Sequence, residues 1–457
     1  MTQATTDKPT ISRGTFLKGV AATAAAVTAP GMVANVARAQ GRIEAPYVKK
    51  SPSGEVLVWV TLPFTDGQIA AFEKAYPHVK VKQQQTAYVP NTPSLTEKLI
   101  TGIGVPDAIY FIEDAYMGQY ADALYDVSSY VEPYASKITP FKLAVAKQNG
   151  RMVAVPWDVD PAFLIYRTDL VAKAGVDVSR IRTYDDLITA AKQVKSKVPS
   201  CTTPLCFNQS PAHLVFTLEG LAWQQHTGMA NAKGELQLNT TPYTKAFTYF
   251  EKVGKAGLAT IVPWSTPTLY TAWNKGQTCF MHFADWWTHW NSPGLKPIWG
   301  KVGLAYQPIL EHGNSPFSMM GGSAMVVPLK AKRPDLGALF STFIMFSRAS
   351  LEASNVRTKA GVLYEYEAIL PAAEQLWPDV HLRRAILAPS VRDREHEMLA
   401  TAARGAPATY RYPGWYSRTI PYLAPIITNL LTGKMSARDA QAKAYHDVLT
   451  KVVQRYR

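Results

Sequence analysis

Apolar positions along the chain change period repeatedly, and each change marks an element. GEVLVWV at 54–60 is a short apolar run rich in valine, which predicts a buried strand. DGQIAAFEKAY follows at 66–76 with Ile69, Ala70, Phe72 and Tyr76 at helical spacing, and Pro77 stops it. HVKVKQQQ at 78–85 alternates, the pattern of a second strand. Ser94 opens SLTEKLITG with Glu97 three residues on and Gly102 at its end, a short capped helix. PDAIYFIED at 106–114 is mostly apolar, as a strand covered on both faces is.

The middle of the chain repeats the alternation. MVAVPW (152–157) and AFLIYR (162–167) read as two short strands around Pro156. RTYDDLITAAKQVKSK (182–197) reads as a helix capped by Thr183, and 238–258 as another, opened by a capping Thr and closed at Gly257. GQTCFMHFADWWTHW (276–290) is a strand running into an aromatic cluster, and 302–310 and 321–328 are strands again. From Pro334 onward the pattern is largely helical, interrupted around 409–415. Strands alternating with helices predict an α/β fold on a parallel-type sheet. At about 100–200 residues per domain, 457 residues suggest two or three domains.

The N-terminus follows neither period. Between residues 19 and 37 it is Ala-rich, lacks Leu, Ile and Phe, and is broken at Ala29-Pro30-Gly31. A membrane-spanning helix needs about 20 strongly apolar residues. Lys8, Arg13 and Lys18 precede the mild apolar stretch, and Ala37-Arg38-Ala39 makes a small-x-small cleavage site before Gln40. These features predict an export signal over 1–39 and a periplasmic protein. Ser12-Arg13-Gly14-Thr15-Phe16-Leu17-Lys18 looks like a twin-arginine signal with Gly14 at the second arginine, so the general secretory route stays open.

Composition adds exclusions. Hydrophobic residues make up 47 % and charged ones 18 %, which suits a soluble globular chain with a large core. The net charge of +14 falls to +11 once the signal's four bases and one acid are removed, and the bases are scattered, so no nucleic-acid partner is expected. There is no GxSxG, P-loop, HExxH or Rossmann fingerprint, and the nine histidines are dispersed. No catalytic residue, metal or cofactor is expected. Cys201 and Cys206 flank a turn-like Thr-Thr-Pro, and an exported chain meets an oxidising compartment, which predicts a Cys201–Cys206 disulfide with Cys279 a buried thiol.

Several stretches, in order, resemble one family. WVTLPF…AAFEKAYPHVKV, GIGVPDAIYF, GRMVAVPWDVDPAFLIYRTDLVAKAGVD, TYDDLITAAKQV, NKGQTCFMHFADWW and MGGSAMVVP resemble landmarks of the solute-binding proteins of ABC transporters, in the sugar-binding group related to maltose-binding protein. Arg167 stands where that group usually has Asn. The resemblance covers about 54–450 and implies a two-lobe periplasmic-binding-protein fold (type II-like), with the ligand cleft between lobes joined by hinge crossovers. Carried over, lobe one is 54–157 plus 309–360, lobe two is 162–305 plus 365–457, and the hinge lies near 156–161, 307–310 and 361–366.

The resemblance and the residues together nominate a site. Trp157, Asp158 and Asp160 lie at the first crossover, and on a strand the two carboxylates point to one side. Carboxylates accept strong hydrogen bonds from hydroxyls. Trp286 and Trp287, and Trp415 and Tyr416, align with aromatics that stack on sugar faces. Glu113 and Asp114 match hydroxyl-binding positions, and Gly322 sits in Gly321-Gly322-Ser323 where backbone approaches closely. Gln209, with Asn208 and His213, rims lobe two, and Tyr88 and Tyr364 are weaker candidates. The function implied is the substrate-binding component of an ABC importer: a monomer that binds a mono- or oligosaccharide and meets permease subunits. The alternatives are the same fold with an anionic sugar derivative or polyamine, and a secreted glycan-active enzyme using two carboxylates.

Overall fold

Val56, Val58 and Val60 are fully buried along the strand Gly54–Val60, and Trp59 is buried on its opposite face. Burial on both faces makes this an inner strand. In the computed structural model of the chain, described over residues 51–86, 93–354, 370–380, 384–408 and 411–456, it lies between Val79–Gln85 and Ala108–Glu113, parallel to both. Ser323–Val326 and then Val155–Pro156 complete a five-stranded sheet beyond Ala108–Glu113. A second five-stranded sheet runs in the order Ala259–Val262, Leu205–Asn208, Phe280–Ala284, Ala162–Arg167, Val302–Ala305. The described residues belong to one compact unit.

Both sheets are mixed, where the alternation of strand and helix predicts parallel ones. Ser323–Val326 runs antiparallel to both its neighbours, and so does Ala162–Arg167. Each of these two strands enters its sheet straight from a segment that crosses between the sheets, 157–161 before Ala162–Arg167 and 318–322 before Ser323–Val326, with no helix between.

Local signals hold where a side chain can reach a backbone amide. Thr65 and Gln68 form a reciprocal capping box on the helix Asp66–Ala75, and Thr183 and Asp186 form another on Tyr184–Lys197. Such caps are worth about 1 kcal/mol each. Thr240 stands at the N-cap of Thr241–Lys255, but its hydroxyl donates to the Gln237 carbonyl at 2.7 Å instead of capping the helix. The helix Pro334–Phe346 covers the first sheet so closely that a Cβ on Gly337 would collide with the Asp107 carbonyl.

The expected disulfide is absent. Cys201, Cys206 and Cys279 are all free and buried. Cys206 lies within the strand Leu205–Asn208 rather than in a loop that could fold back on Cys201. Burial pushes the thiols of Cys201 and Cys206 up to about 12, so they behave as small core residues. Among the described residues no helix is long and apolar enough to cross a membrane. The expected export signal (1–39), the expected hinge segment at 361–366, Tyr88 and Tyr364 lie outside the described residues.

Two outcomes follow for the folded chain. Gly337→Ala is expected to cost about 1–3 kcal/mol in urea denaturation, because backbone must move to admit one methyl. A thiol reagent is expected to find no reactive cysteine in the native protein and three after unfolding in guanidinium. One reactive thiol after unfolding would restore the disulfide.

Candidate functional site

Three stretches of backbone run side by side between the two sheets. The first is 157–161. Trp157 N donates to Ser323 O at 3.0 Å, Met320 N to Asp160 O at 2.9 Å, and Ala162 N to Ser318 O at 3.0 Å, so 318–323 is the second. Leu370–Pro371, the third, pairs antiparallel with Asp158–Val159, and Ala372 N donates to Trp157 O at 2.6 Å.

Asp158 and Asp160 point to one side of this bundle, as two residues apart on extended chain do. Ser323 N donates to Asp158 Oδ1 at 2.5 Å, and Gly322 N donates to Asp160 Oδ2 at 2.7 Å. Successive backbone amides aimed at anions need an unusual chain path. Gly321 and Gly322 provide it with φ of +108° and +96°. A Cβ on Gly321 would stand 2.7 Å from Asp160 Oδ2, and one on Gly322 2.6 Å from Asp114 Oδ2. Both positions therefore require glycine.

Beside this pair lies a buried ion pair that the sequence did not mark. Lys142, on the helix Pro140–Ala146, reaches Asp114 Oδ1 at 2.7 Å, Asp114 Oδ2 at 2.5 Å and the Ser323 carbonyl at 3.0 Å. Both side chains are 1 % exposed. Asp114, expected to meet ligand hydroxyls, is instead spent on Lys142. Burial raises the Asp114 carboxyl against the opposing pull of Lys142. It pushes Asp158 up to about 7, and it raises Asp160 well above the usual range with help from Asp158 and Asp285.

An aromatic band starts at Tyr412, beside the carboxylates. Tyr412 and Tyr416 pack at 4.6 Å, and Tyr416 stacks nearly parallel on Phe216 at 6.5 Å. Phe216 meets His213 at 5.9 Å, His213 meets Trp286 at 5.9 Å, and Trp286 meets Trp264 edge-on at 4.9 Å. Burial first, and then the charges of Asp114, Glu219, Glu113 and Asp160, raise the Tyr412 phenol, so the band begins next to the carboxylates. The helix Asp114–Tyr120 touches the same band: Ser417 Oγ donates to Gln119 Oε1 at 2.5 Å, and an added Cβ on Gly118 would stand 3.0 Å from the Tyr412 carbonyl. Four buried polar atoms here lack a hydrogen-bond partner among the described residues: Asp160 Oδ1, Tyr416 Oη, Trp286 Nε1 and His213 Nδ1.

The expected residues divide. Asp158, Asp160, Asp114 and Gly322 come together, Glu113 pairs across the sheet with Ser323, and Tyr416 and Trp286 lie on the aromatic band that starts at Tyr412. Trp287 does not join them: it is fully buried against Trp273 at 4.6 Å, because it turns inward from the start of its helix. Trp157 is buried in the first sheet's core against Tyr110 at 4.9 Å. Trp415 is buried beside Tyr416. Gln209 is exposed, with only its amide tied to Val262 O at 2.8 Å. Lys142, Tyr412 and Trp264 were missed; an aromatic shortly before Trp415 was the one signal available.

The model of the bacterial extracellular solute-binding proteins matches residues 61–347. The chain belongs to that family. Among curated relatives, the arabinooligosaccharide-binding protein of Bacillus subtilis strain 168 is 23 % identical over 63 % of this chain. A probable ABC transporter-binding protein of Deinococcus radiodurans is 24 % identical over 58 % of it. The alignments span 66 % and 65 % of those relatives, just under two thirds of their length. The GacH receptor of Streptomyces glaucescens, solved unliganded and with acarbose, superposes with a TM-score of 0.65 at 19 % identity over 88 % of this chain and 99 % of that one. The binding protein of B. animalis subsp. lactis solved with β-1,6-galactobiose gives 0.68 at 18 % identity over 88 % and 97 %. The fold is therefore the two-lobe α/β architecture of solute-binding proteins. The two sheets are the lobe cores, and the carboxylates and aromatics lie where the lobes meet.

Asp158 gives this junction a pH signature. Its carboxyl titrates near 7 in the folded chain and near 3.9 when unfolded, so the stability it contributes is full below about pH 4 and is lost as pH rises through 7. His213, His282 and His289, held down to about 4 by burial, act with the opposite sign between about pH 4 and 6.5. The comparison that isolates the carboxyl is wild type against Asp158→Asn. The wild type's advantage in melting temperature is expected to be largest near pH 4 and to shrink toward pH 8; an advantage that grows with pH would mean that Asp158 is ionised in the folded chain.

Proposed function

We propose that this protein is the substrate-binding component of an ABC importer that captures a carbohydrate between its lobes and delivers it to membrane permease subunits. One observation carries the reading: at the lobe junction, buried polar atoms without partners (Asp160 Oδ1, Tyr416 Oη, Trp286 Nε1) border an unbroken aromatic band. Sugars offer what this arrangement lacks, hydroxyls for the polar atoms and C–H faces for the rings. The arabinooligosaccharides and β-1,6-galactobiose named for relatives support the same ligand class. Ligand contacts to both lobes at once would favour the closed form over the open one.

In this reading lobe one is 54–157 with 324–360, and lobe two is 162–317 with 365–457, so the expected crossover at 307–310 moves along the chain. The second hinge strand is best drawn at 318–323, because Pro308 O and Ser315 N still bond Gln224 on the second-sheet side. The protein acts outside the cytoplasmic membrane, exported by the 1–39 signal and cleaved near Ala39, as a monomer without cofactor. It is not an enzyme: Asp158 and Asp160 hang side by side on adjacent amides, whereas glycosidase carboxylates flank the scissile bond.

A saccharide panel tests the reading. A bound sugar is expected to raise the melting temperature and to change tryptophan fluorescence. Trp286→Ala is expected to weaken binding about tenfold, ~1.4 kcal/mol, with little loss of stability, while Trp287→Ala, a core truncation, is expected to cost about 3–5 kcal/mol of stability. Release of reducing ends from a glycan by the purified protein would make it an enzyme instead.

A further inference from the structure

The lobe junction buries more carboxyl groups than cations. Asp114, Asp158 and Asp160 are each at most 5 % exposed, and Lys142 is the cation among them. Lys142 has three N–H bonds to give. Asp114 takes two and the Ser323 carbonyl takes the third, so none is left for Asp160 or for a ligand. The charges acting on Asp160 are those of Asp158 and Asp285, which repel it, and of Lys142. Asp285 brings no spare cation, because its partner Arg384 is itself fixed, 2.9 Å from Asp285 and 3.0 Å from Glu395.

Among the described residues, Asp160 is held through one oxygen only. Oδ2 accepts from Gly322 N, while Oδ1 is buried without a partner. Tyr416, fully buried in the aromatic band that starts at Tyr412, also has a phenol oxygen without a partner among the described residues. A buried carboxylate must be paired or lose its charge, since burying an unpaired ion costs several kcal/mol. A neutral hydroxyl supplies a hydrogen bond and no charge. An anionic ligand would add to the repulsion. A bare polyamine would leave the aromatic faces without a partner of matching shape.

We propose that the solute is an amine-bearing saccharide, an amino sugar or an oligosaccharide containing one, whose ammonium group docks on Asp160 Oδ1. The proposal rests on the carbohydrate reading above and narrows it. The ammonium would pair with Asp160 and the sugar ring would lie along Tyr416, Phe216 and Trp286. The aromatic band sets the preference for a sugar, and the carboxylate excess sets the preference for its amine.

The test is calorimetry on the wild-type protein at pH 7 and low salt. Matched sugars are titrated: glucose, galactose and cellobiose against glucosamine, galactosamine and the disaccharide of glucosamine, with the N-acetylated forms as neutral controls. The expected result is at least tenfold tighter binding of an amino sugar than of both its hydroxyl and its N-acetyl counterpart. That preference is expected to weaken as salt is raised. Asp160→Asn is expected to remove the preference, and its melting temperature reports whether the variant folds. Repeating the wild-type titration in buffers of different ionisation heat needs no variant, and the amino sugar is expected to bind without proton uptake. If neutral sugars bind as tightly or tighter, or bind with uptake of a proton, the amine proposal is overturned and the carbohydrate reading stands. If no sugar of either kind binds, both fall together.

Discussion

Two adjacent backbone amides, those of Gly322 and Ser323, hold the junction on which the rest of the structure depends. They bind Asp160 and Asp158 at 2.7 and 2.5 Å and so fasten one crossing strand to another. Hydrogen bonds to an ionised acceptor are roughly twice as strong as neutral ones, but here burial works against ionisation and the two effects compete. The geometry is possible only because Gly321 and Gly322 take left-handed backbone and leave no Cβ in the carboxylates' way. Lys142 completes the fastening from outside the strands. It carries Asp114 on one side and the Ser323 carbonyl on the other, so the amide that serves Asp158 belongs to a residue whose carbonyl is itself pinned.

That junction fixes what the two lobes can offer each other. The first sheet contributes carboxylates at its edge, and the helices around the second sheet contribute rings. Tyr412 stands at the boundary, close enough to Asp114 and Asp160 to feel their charge and packed on Tyr416 at 4.6 Å. Ser417 meets Gln119 directly, so the two sides touch by side-chain hydrogen bond as well as by crossing strands. Among the described residues the two sheets are linked by three short backbone segments and a few such contacts, the kind of connection across which domains close by hinge motion. A ligand changes the balance only by bonding both sides.

Much of the fold is legible in the sequence because its signals are local. The valines of 54–60 alternate onto one buried face, and Thr183 finds Asp186 within one helical turn. Part of the site is legible too, since Asp158 and Asp160 need only extended chain to share a side. What is not legible depends on partners far away in the chain. Lys142 reads as an ordinary helix lysine until Asp114 and Ser323 are brought to it, 28 and 181 residues distant. Trp286 and Trp287 are neighbours of the same type, and only the turn that starts their helix decides that Trp287 packs on Trp273 while Trp286 meets His213. Cys201 and Cys206 suggest a closed loop by spacing alone, but strand pairing places Cys206 inside a sheet.

The same contrast between local and distant terms resolves the sign of the site's electrostatics. The whole chain carries +14, which taken alone invites an anionic partner. Exposed charges are screened over about 8–10 Å at ordinary ionic strength, whereas buried ones are screened far less. The bases behind the surplus stand mostly on the surface, where ion pairs such as Lys252–Asp185 and Lys80–Glu73 are open to water. The groups at the lobe junction are buried, and there carboxylates outnumber the cations beside them. Global charge therefore speaks to how the protein behaves in solution, while the electrostatics of the junction are set by a few buried carboxyls.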